Sequence, residues 1–512
     1  MRAGPARVRA DPAVPRAGVT ASAGLGRLGG LAAALRRHWL MAILLAAGLA
    51  LRVVTQLAYR PALLYIDSIK YLFGAYPGND PPGYQLVLQA FLKVGTLGLV
   101  AVLQHAAGLA MAVVLYLVLR RRGVPSWLAA LATAPVLLDG YQLQIEQSIM
   151  PDTAFEVLIV AGLAALLWER RPPAALVLVA GLALGASATV RQVGEIFILP
   201  ALVYLLAVTP GWRQKLVQAA ALVVAFALPV LFISYRNYVT IRHFGLAPYA
   251  AGTIYGRAAA AADCATLSLP AYERPLCPPH RMQVLGPDWL DHGAGSPIKR
   301  AVPPTGLPHV TFADDFSRQV LLQQPLRVAA AWARDSVKLF AVTRDTDRGD
   351  VSVTRWQFQR TYPVYPPYIR LRNGRLLFVH LTPAGQPRVI RAGHRYADRP
   401  AVAAGLASFL RGYQLHGGYT PGLLFLCCVL AGLAGCAGLL RRRVSAGQRA
   451  TAQACLLTTA SAVAVLLASD FFEFSWRYQL PALVTLPPAG ALGIMVVTGW
   501  AAGRRRPPAG AS

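Results

Sequence analysis

Ten apolar runs, most of them close to the length of a bilayer crossing, divide this 512-residue chain. A hydrocarbon core about 30 Å thick needs about 20 apolar residues per helix. Runs near 38–59, 98–119, 124–140, 153–168, 174–190, 194–209, 214–238, 418–440, 450–469 and 478–500 approach or meet that length. In lipid every backbone polar group must be satisfied within the segment, which selects helices. With 55% hydrophobic and only 14% charged residues, the chain is expected to be an all-α polytopic membrane protein of about ten transmembrane helices. The runs at 124–140, 174–190 and 194–209 are short for a straight crossing.

Lys and Arg accumulate in cytoplasmic loops. With the N-terminus inside, Arg120-Arg121-Arg122, Glu169-Arg170-Arg171, Arg213 with Lys215, Arg441-Arg442-Arg443 and Arg504-Arg505-Arg506 all fall on the cytoplasmic side. Both termini are then inside, in a plasma membrane, and the first loop, 60–97, faces out. Residues 1–37 read as a disordered basic arm and 501–512 as a cytoplasmic tail. The apolar run from Trp39 is too long for a cleaved signal peptide. The net charge of +28 sits at span ends, where topology explains it, so nucleic acid is not an expected partner.

Between the N-terminal membrane module, 38–239, and the C-terminal spans, 418–500, the apolar runs stop. Residues 240–417 are expected to form a mixed α+β extracytoplasmic domain inserted before the last three spans. Two amphipathic helical segments, 314–322 and 327–340, are interrupted at Pro325, and such a pair can lie along the membrane surface. Residues 375–381 and 388–391 read as a hairpin. Cys264 and Cys277 share this domain, and an oxidising compartment would pair them. Cys427, Cys428, Cys436 and Cys455 fall within spans and behave as small apolar residues.

The polar residues near spans are one-sided. The expected outer ends carry acidic groups and arginines together, among them Asp67, Asp152, Glu156, Arg191, Glu473 and Arg477, whereas the inner ends carry mostly Arg. Acidic groups are expensive near lipid and usually face a protein interior or a watery cavity, so a polar cavity opening outward is expected. Asp152 and Glu156, four apart, share one helix face. As a pair they can bind a cation or a sugar, and Asp152 can equally serve the helix dipole. Guanidinium groups suit phosphate oxygens, while snorkelling to head groups is the alternative use. The aromatic stretch from Trp356 to Tyr368 offers rings for a sugar face, or simply packs its domain.

Asp67 after the first span, Pro82-Gly-Tyr84 before an amphipathic segment, Ile149-Met-Pro-Asp-Thr153 opening the fourth, Val190-Arg-Gln192 closing the fifth and Trp476-Arg-Tyr-Gln-Leu-Pro481 before the last resemble the GT-C superfamily of polytopic glycosyltransferases. The likeness is to its arabinosyl, mannosyl and aminoarabinose transferase branch and covers roughly residues 38–240 and 418–500. It implies an inverting transfer of a sugar from a polyprenyl-phosphate carrier to a glycan, lipid or protein acceptor at the outer membrane face. Asp67 would be the general base or a metal ligand, and Asp152 the second acid. Glu146 competes for that second role. Arg191, Arg477, Lys70 and Arg52 would hold the donor phosphate. Glu146, Glu156, Tyr84 and Trp356 would contact acceptor or sugar, and a divalent ion on Asp67 and Asp152 stays open. Asp67 stands outside any Asp-x-Asp pair and no Trp-Trp-Asp occurs, which points away from an oligosaccharyltransferase. The rival classes are a transporter or flippase and a non-catalytic membrane scaffold.

Overall fold

The computed structural model describes residues 20–74, 76–250, 252–363, 368–370, 376–381, 387–390, 400–441 and 445–504. Among these, six helices are long and apolar enough to cross a membrane: Arg37–Ala58, Leu97–Arg121, Trp212–Ile241, Gly422–Leu440, Ala446–Phe472 and Trp476–Gly499. The runs at 174–190 and 194–209 are shorter apolar helices, Ala174–Val190 and Gln192–Val208. The run at 153–168 is the helix Asp152–Leu167. The run at 124–140 is not one helix but two short pieces, Ser126–Leu131 and Ala134–Leu138. Pro135 stands in the first turn of the second piece, and a ring without an N–H at that position favours a new helix start over continuation.

Helix also replaces part of the expected N-terminal arm, since the first helix runs from Thr20 to Ala58 with a non-helical His38 inside it. Leu and Ala dominate 25–35 and carry high helix propensity. Residues 1–19, 364–367 of the aromatic stretch and 505–512 of the tail lie outside the described residues.

Small residues bring the spans close. A Cβ on Gly185 would stand 2.1 Å from the Phe226 carbonyl oxygen, so the Ala174–Val190 and Trp212–Ile241 helices touch backbone to backbone there, as membrane helices do at small residues.

Within 240–417, helices Gly252–Ala261, Gly286–His292, His309–Gln323 and Pro325–Ser336 bury Tyr255, Leu276, Leu290, Phe312, Phe316 and Val320 in a core separate from that of the spans. The last two helices meet at Pro325, which takes the first turn of the second. Strands Leu376–Leu381 and Pro387–Ile390 pair antiparallel, Phe378 opposite Ile390, with Tyr368–Arg370 on the other edge. Cys264 and Cys277 form a disulfide closing a 13-residue separation. Replacing both by Ser is expected to cost about 2 to 4 kcal/mol, because a short loop regains its freedom in the unfolded chain; an unchanged melting temperature in detergent would contradict this.

The inserted segment is tied to the spans by polar contacts. Arg257 pairs with Asp335 and donates to the Asp470 and Phe471 carbonyls at the end of Ala446–Phe472. Trp332 donates Nε1–H to the Leu467 carbonyl at 2.8 Å.

Candidate active site

A single backbone rung positions the two acidic loops. Leu63 N–H donates to the Gln147 carbonyl at 2.8 Å, and Ile149 N–H returns a bond to the Leu63 carbonyl at 2.9 Å, making a parallel bridge between Leu63 and Ser148. Ser68 reinforces it: its hydroxyl accepts from Tyr65 N–H and donates to the Ile149 carbonyl, both at 2.9 Å. Asp67 then sits at the N-cap of Ser68–Phe73 without using its side chain as a cap. Its carboxylate is left for other partners.

One of those partners is local and the other comes from the far end of the chain. Asp67 Oδ2 lies 3.2 Å from Arg477 Nη1, and Oδ1 lies 3.2 Å from Lys70 Nζ. Lys70 also pairs with Asp80 at 2.8 Å. Arg477 clamps Asp152 with Nε at 3.0 Å from both carboxylate oxygens and Nη2 at 2.9 Å from Oδ2. Arg191 pairs with the same carboxylate. Arg477 therefore joins the two candidate acids, one from the loop after the first span and one from the start of Asp152–Leu167. Asp152 and Arg477 are buried, whereas the side chains of Asp67 and Lys70 stay about a quarter exposed. The cluster is therefore open to solvent at its Asp67–Lys70 edge.

Burial alone would push the Asp67 carboxyl up, but Lys70 and then Arg477 outweigh it and hold it at about 2. Lys70 stays protonated: burial works against its charge, while Asp67 and Asp80 more than restore it. Asp67 is therefore ionised at any working pH, and no acid limb of kcat/KM is expected from it above about pH 3. Lys70→Gln removes its leading counter-charge and is expected to move that limb upward by about 1 to 3 units. An acid limb that stays in place would show that Lys70 does not control Asp67.

Aromatic rings wall the cluster. Arg191 lies over the rings of Tyr478, at 4.8 Å, and Phe155, at 5.8 Å. Arg477 lies 5.3 Å from the centre of the Trp356 ring, which packs on Tyr65 at 4.5 Å. Trp356 thus comes to the site from the inserted segment, but it is 4% exposed with its ring faces engaged. Of the two uses open to this stretch, a sugar platform or packing, the buried ring of Trp356 serves packing in this structure.

Four other expected residues are also committed elsewhere. Arg52 is 2% exposed and donates to the Gly48, Val136 and Leu137 carbonyls and to Glu146 Oε1 at 2.7 Å. Glu146 gives its other oxygen to His105 Nδ1 at 2.8 Å. Gly108 makes room for this pair, since a Cβ there would stand 2.1 Å from Glu146 Oε1. Neither Arg52 nor Glu146 is free for phosphate or acceptor; both neutralise each other inside the bundle, as buried charges must. Glu156 is fully buried and accepts from Gln142 Nε2 at 2.7 Å. Tyr84, also buried, donates to Gln104 Oε1 at 3.0 Å and packs edge-on against Tyr71.

A divalent ion does not fit Asp67 and Asp152 as they stand. Among the described residues no group of three or more His, Cys, Asp or Glu converges, and both carboxylates already bear cationic partners that an ion would have to displace. No step is routed through a metal.

Beside Lys70 opens a cavity of about 210 Å³, lined by Lys70, Tyr71, Asp80 and Gln85 from one side and Arg236 and Asn237 from Trp212–Ile241 on the other. Asp80 and Arg236 were missed as site residues. Asp80 stands two residues before Pro82-Gly-Tyr84, and Arg236 lies at the end of the apolar run 214–238, where snorkelling to head groups is an ordinary use of an arginine.

Residues 67–244 match the family model described as dolichyl-phosphate-mannose-protein mannosyltransferase, a match that begins at Asp67 itself. The matched range covers about a third of the chain. Asp67, Lys70, Asp80, Asp152, Arg191 and Arg236 all lie inside the matched range, whereas Arg477 and Trp356 reach the site from outside it. No curated protein matches the chain. Among solved structures, it is similar to the S. cerevisiae protein O-mannosyltransferase Pmt1-Pmt2 complex bound to the sugar donor, with 15% identity over 44% of this chain and 36% of that one, at a TM-score of 0.33. It is also similar to ArnT from Cupriavidus metallidurans bound to undecaprenyl phosphate, with 13% identity over 91% of this chain and 81% of that one, at a TM-score of 0.29. The chain spans about a third of the length of the first of these.

Proposed function

We propose that this chain is a GT-C-type glycosyltransferase that moves a sugar from a polyprenyl-phosphate carrier to a hydroxyl of a glycan, lipid or protein acceptor, with inversion, at the outer face of the plasma membrane. In this reading both termini are cytoplasmic and residues 240–417 are extracytoplasmic. The observation that carries it is the bridging of Asp67 and Asp152 by Arg477, next to a Lys- and Arg-lined cavity.

Asp67 takes the proton of the acceptor hydroxyl as its oxygen attacks the anomeric carbon. The bond from that carbon to the phosphate oxygen breaks, and its electron pair leaves with the polyprenyl phosphate. Lys70, Arg477 and Arg236 hold the departing phosphate, where fixed cations in a dry site stabilise developing charge. Asp152 and Arg191 orient Arg477 rather than touching substrate. An incoming phosphate also competes with Asp67 for Lys70 and Arg477. Their attraction holds the carboxyl low against burial, so sharing them with phosphate raises the basicity of Asp67 at the moment it is needed.

The test is sugar transfer in proteoliposomes loaded with mannosyl- or arabinosyl-phosphopolyprenol and a membrane-derived acceptor fraction. Product formation with inverted anomeric configuration is expected. Movement of the intact lipid across the bilayer with no product would favour a flippase and overturn the enzyme reading.

A further inference from the structure

A second arginine-lined cavity lies at the other end of the helix that carries Asp152. Asp152–Leu167 has 16 residues, so at 1.5 Å per residue its two ends stand about 24 Å apart. At the far end a cavity of about 370 Å³ is lined by Arg121, Arg122, Trp168, Glu169 and Arg170. Leu97–Arg121, one of the membrane-length helices, ends here, which places the cavity at head-group level.

Two of the three arginines are held in place. Arg122 donates from Nε to the Leu167 carbonyl at 2.8 Å, and from Nη2 to the Glu169 carbonyl at 2.7 Å and the Tyr204 hydroxyl at 3.1 Å. Arg121 donates from Nε to the Trp168 carbonyl at 3.1 Å, and its guanidinium lies 4.5 Å over the Trp168 ring. The last carbonyls of a helix need such donors, and this need accounts for Arg122. It does not account for the Nη groups of Arg121 or for Arg170. Three guanidinium groups against the single Glu169 carboxylate leave the lining with two excess positive charges, on a rim marked by a Trp of the kind that anchors at the membrane interface.

We propose that this cavity binds the phosphate of an anionic phospholipid head group from the leaflet facing away from the Asp67 end. The Nη groups of Arg121, steadied by its Nε bond and its contact with the Trp168 ring, suit phosphate oxygens; Arg122 adds positive charge beside them, and Arg170 closes the third side. The lipid is a resident of the fold rather than a substrate, and it braces the C-terminal end of the helix whose N-terminus presents Asp152.

The purified full chain in neutral detergent is titrated with phosphatidylglycerol, phosphatidylcholine or inorganic phosphate, and affinity is read from thermal shift and from lipid retained in native mass spectrometry. Phosphatidylglycerol is expected to raise the melting temperature where phosphatidylcholine does not. Each basic side chain near an anionic head group is worth about fivefold in affinity, so Arg121→Gln with Arg170→Gln is expected to weaken phosphatidylglycerol binding about 25-fold. Arg122 is left intact because it caps carbonyls. Arg121→Lys with Arg170→Lys keeps the charge and is expected to retain most of the shift, and Lys70→Gln, at the opposite end, all of it. An equal shift with phosphatidylcholine, an undiminished shift in the double Gln chain, or loss of the shift in Lys70→Gln would overturn the proposal. So would inorganic phosphate reproducing the shift at the same concentration, which would make this a free-anion site.

Discussion

Asp67→Asn is expected to lower kcat for sugar transfer by about 10²- to 10⁴-fold, the usual contribution of a positioned general base, while leaving the protein folded. The substitution keeps the shape of the side chain and the hydrogen-bond acceptor facing Arg477, but the amide cannot take a proton. The loss should appear in kcat with little change in KM for the donor, because Lys70 and Arg477 remain to hold phosphate. Asp152→Asn makes the contrast. Asp152 accepts three contacts from Arg477 and one more from Arg191, so its neutralisation loosens both arginines and should raise KM for the donor as well. A fully active Asp67→Asn enzyme would remove Asp67 from the chemistry, and equal kinetic signatures for the two variants would remove the division of labour between them.

Glu146→Ala is expected to be the most destabilising single change among the charged residues near the site. It strands the Arg52 guanidinium in the bundle without its counter-ion, and breaking a buried pair from one side costs about 3 to 5 kcal/mol. Arg52→Met combined with Glu146→Leu should recover most of that loss, because a buried pair replaced as a unit by apolar groups is often nearly neutral. His105 then loses its Nδ1 partner, which limits the recovery by about 1 to 3 kcal/mol. Sugar transfer by the rescued double variant should be near normal. A stable but inactive double variant would return Glu146 or Arg52 to the substrate site.

The contrast between Arg52 and Arg477 marks where the sequence was readable and where it was not. Both are arginines near the ends of apolar runs, and both were expected to meet phosphate. Arg477 sits in an aromatic turn and swings onto Asp67 and Asp152. Arg52 lies inside a helix and meets Glu146, 94 residues away. Nothing local separates the two cases, because the partner of a buried charge is chosen by tertiary packing. Helix positions were legible from hydropathy, as 214–238 against the observed Trp212–Ile241 illustrates. The run at 124–140 misled because hydropathy averages over Thr133 and Pro135, while the backbone breaks there. Glu156 followed its i,i+4 spacing onto the face of Asp152, yet its depth below the helix start gave it to Gln142 instead. Trp356 was placed near the sugar by its ring and reached the site as a wall.

The rung between Leu63 and Ser148 welds the two acid-bearing loops into one piece of main chain. The spacing of the two carboxylates is then set by peptide geometry as well as by the guanidinium between them, so a substitution that loosens one side chain leaves the other acid where the main chain holds it.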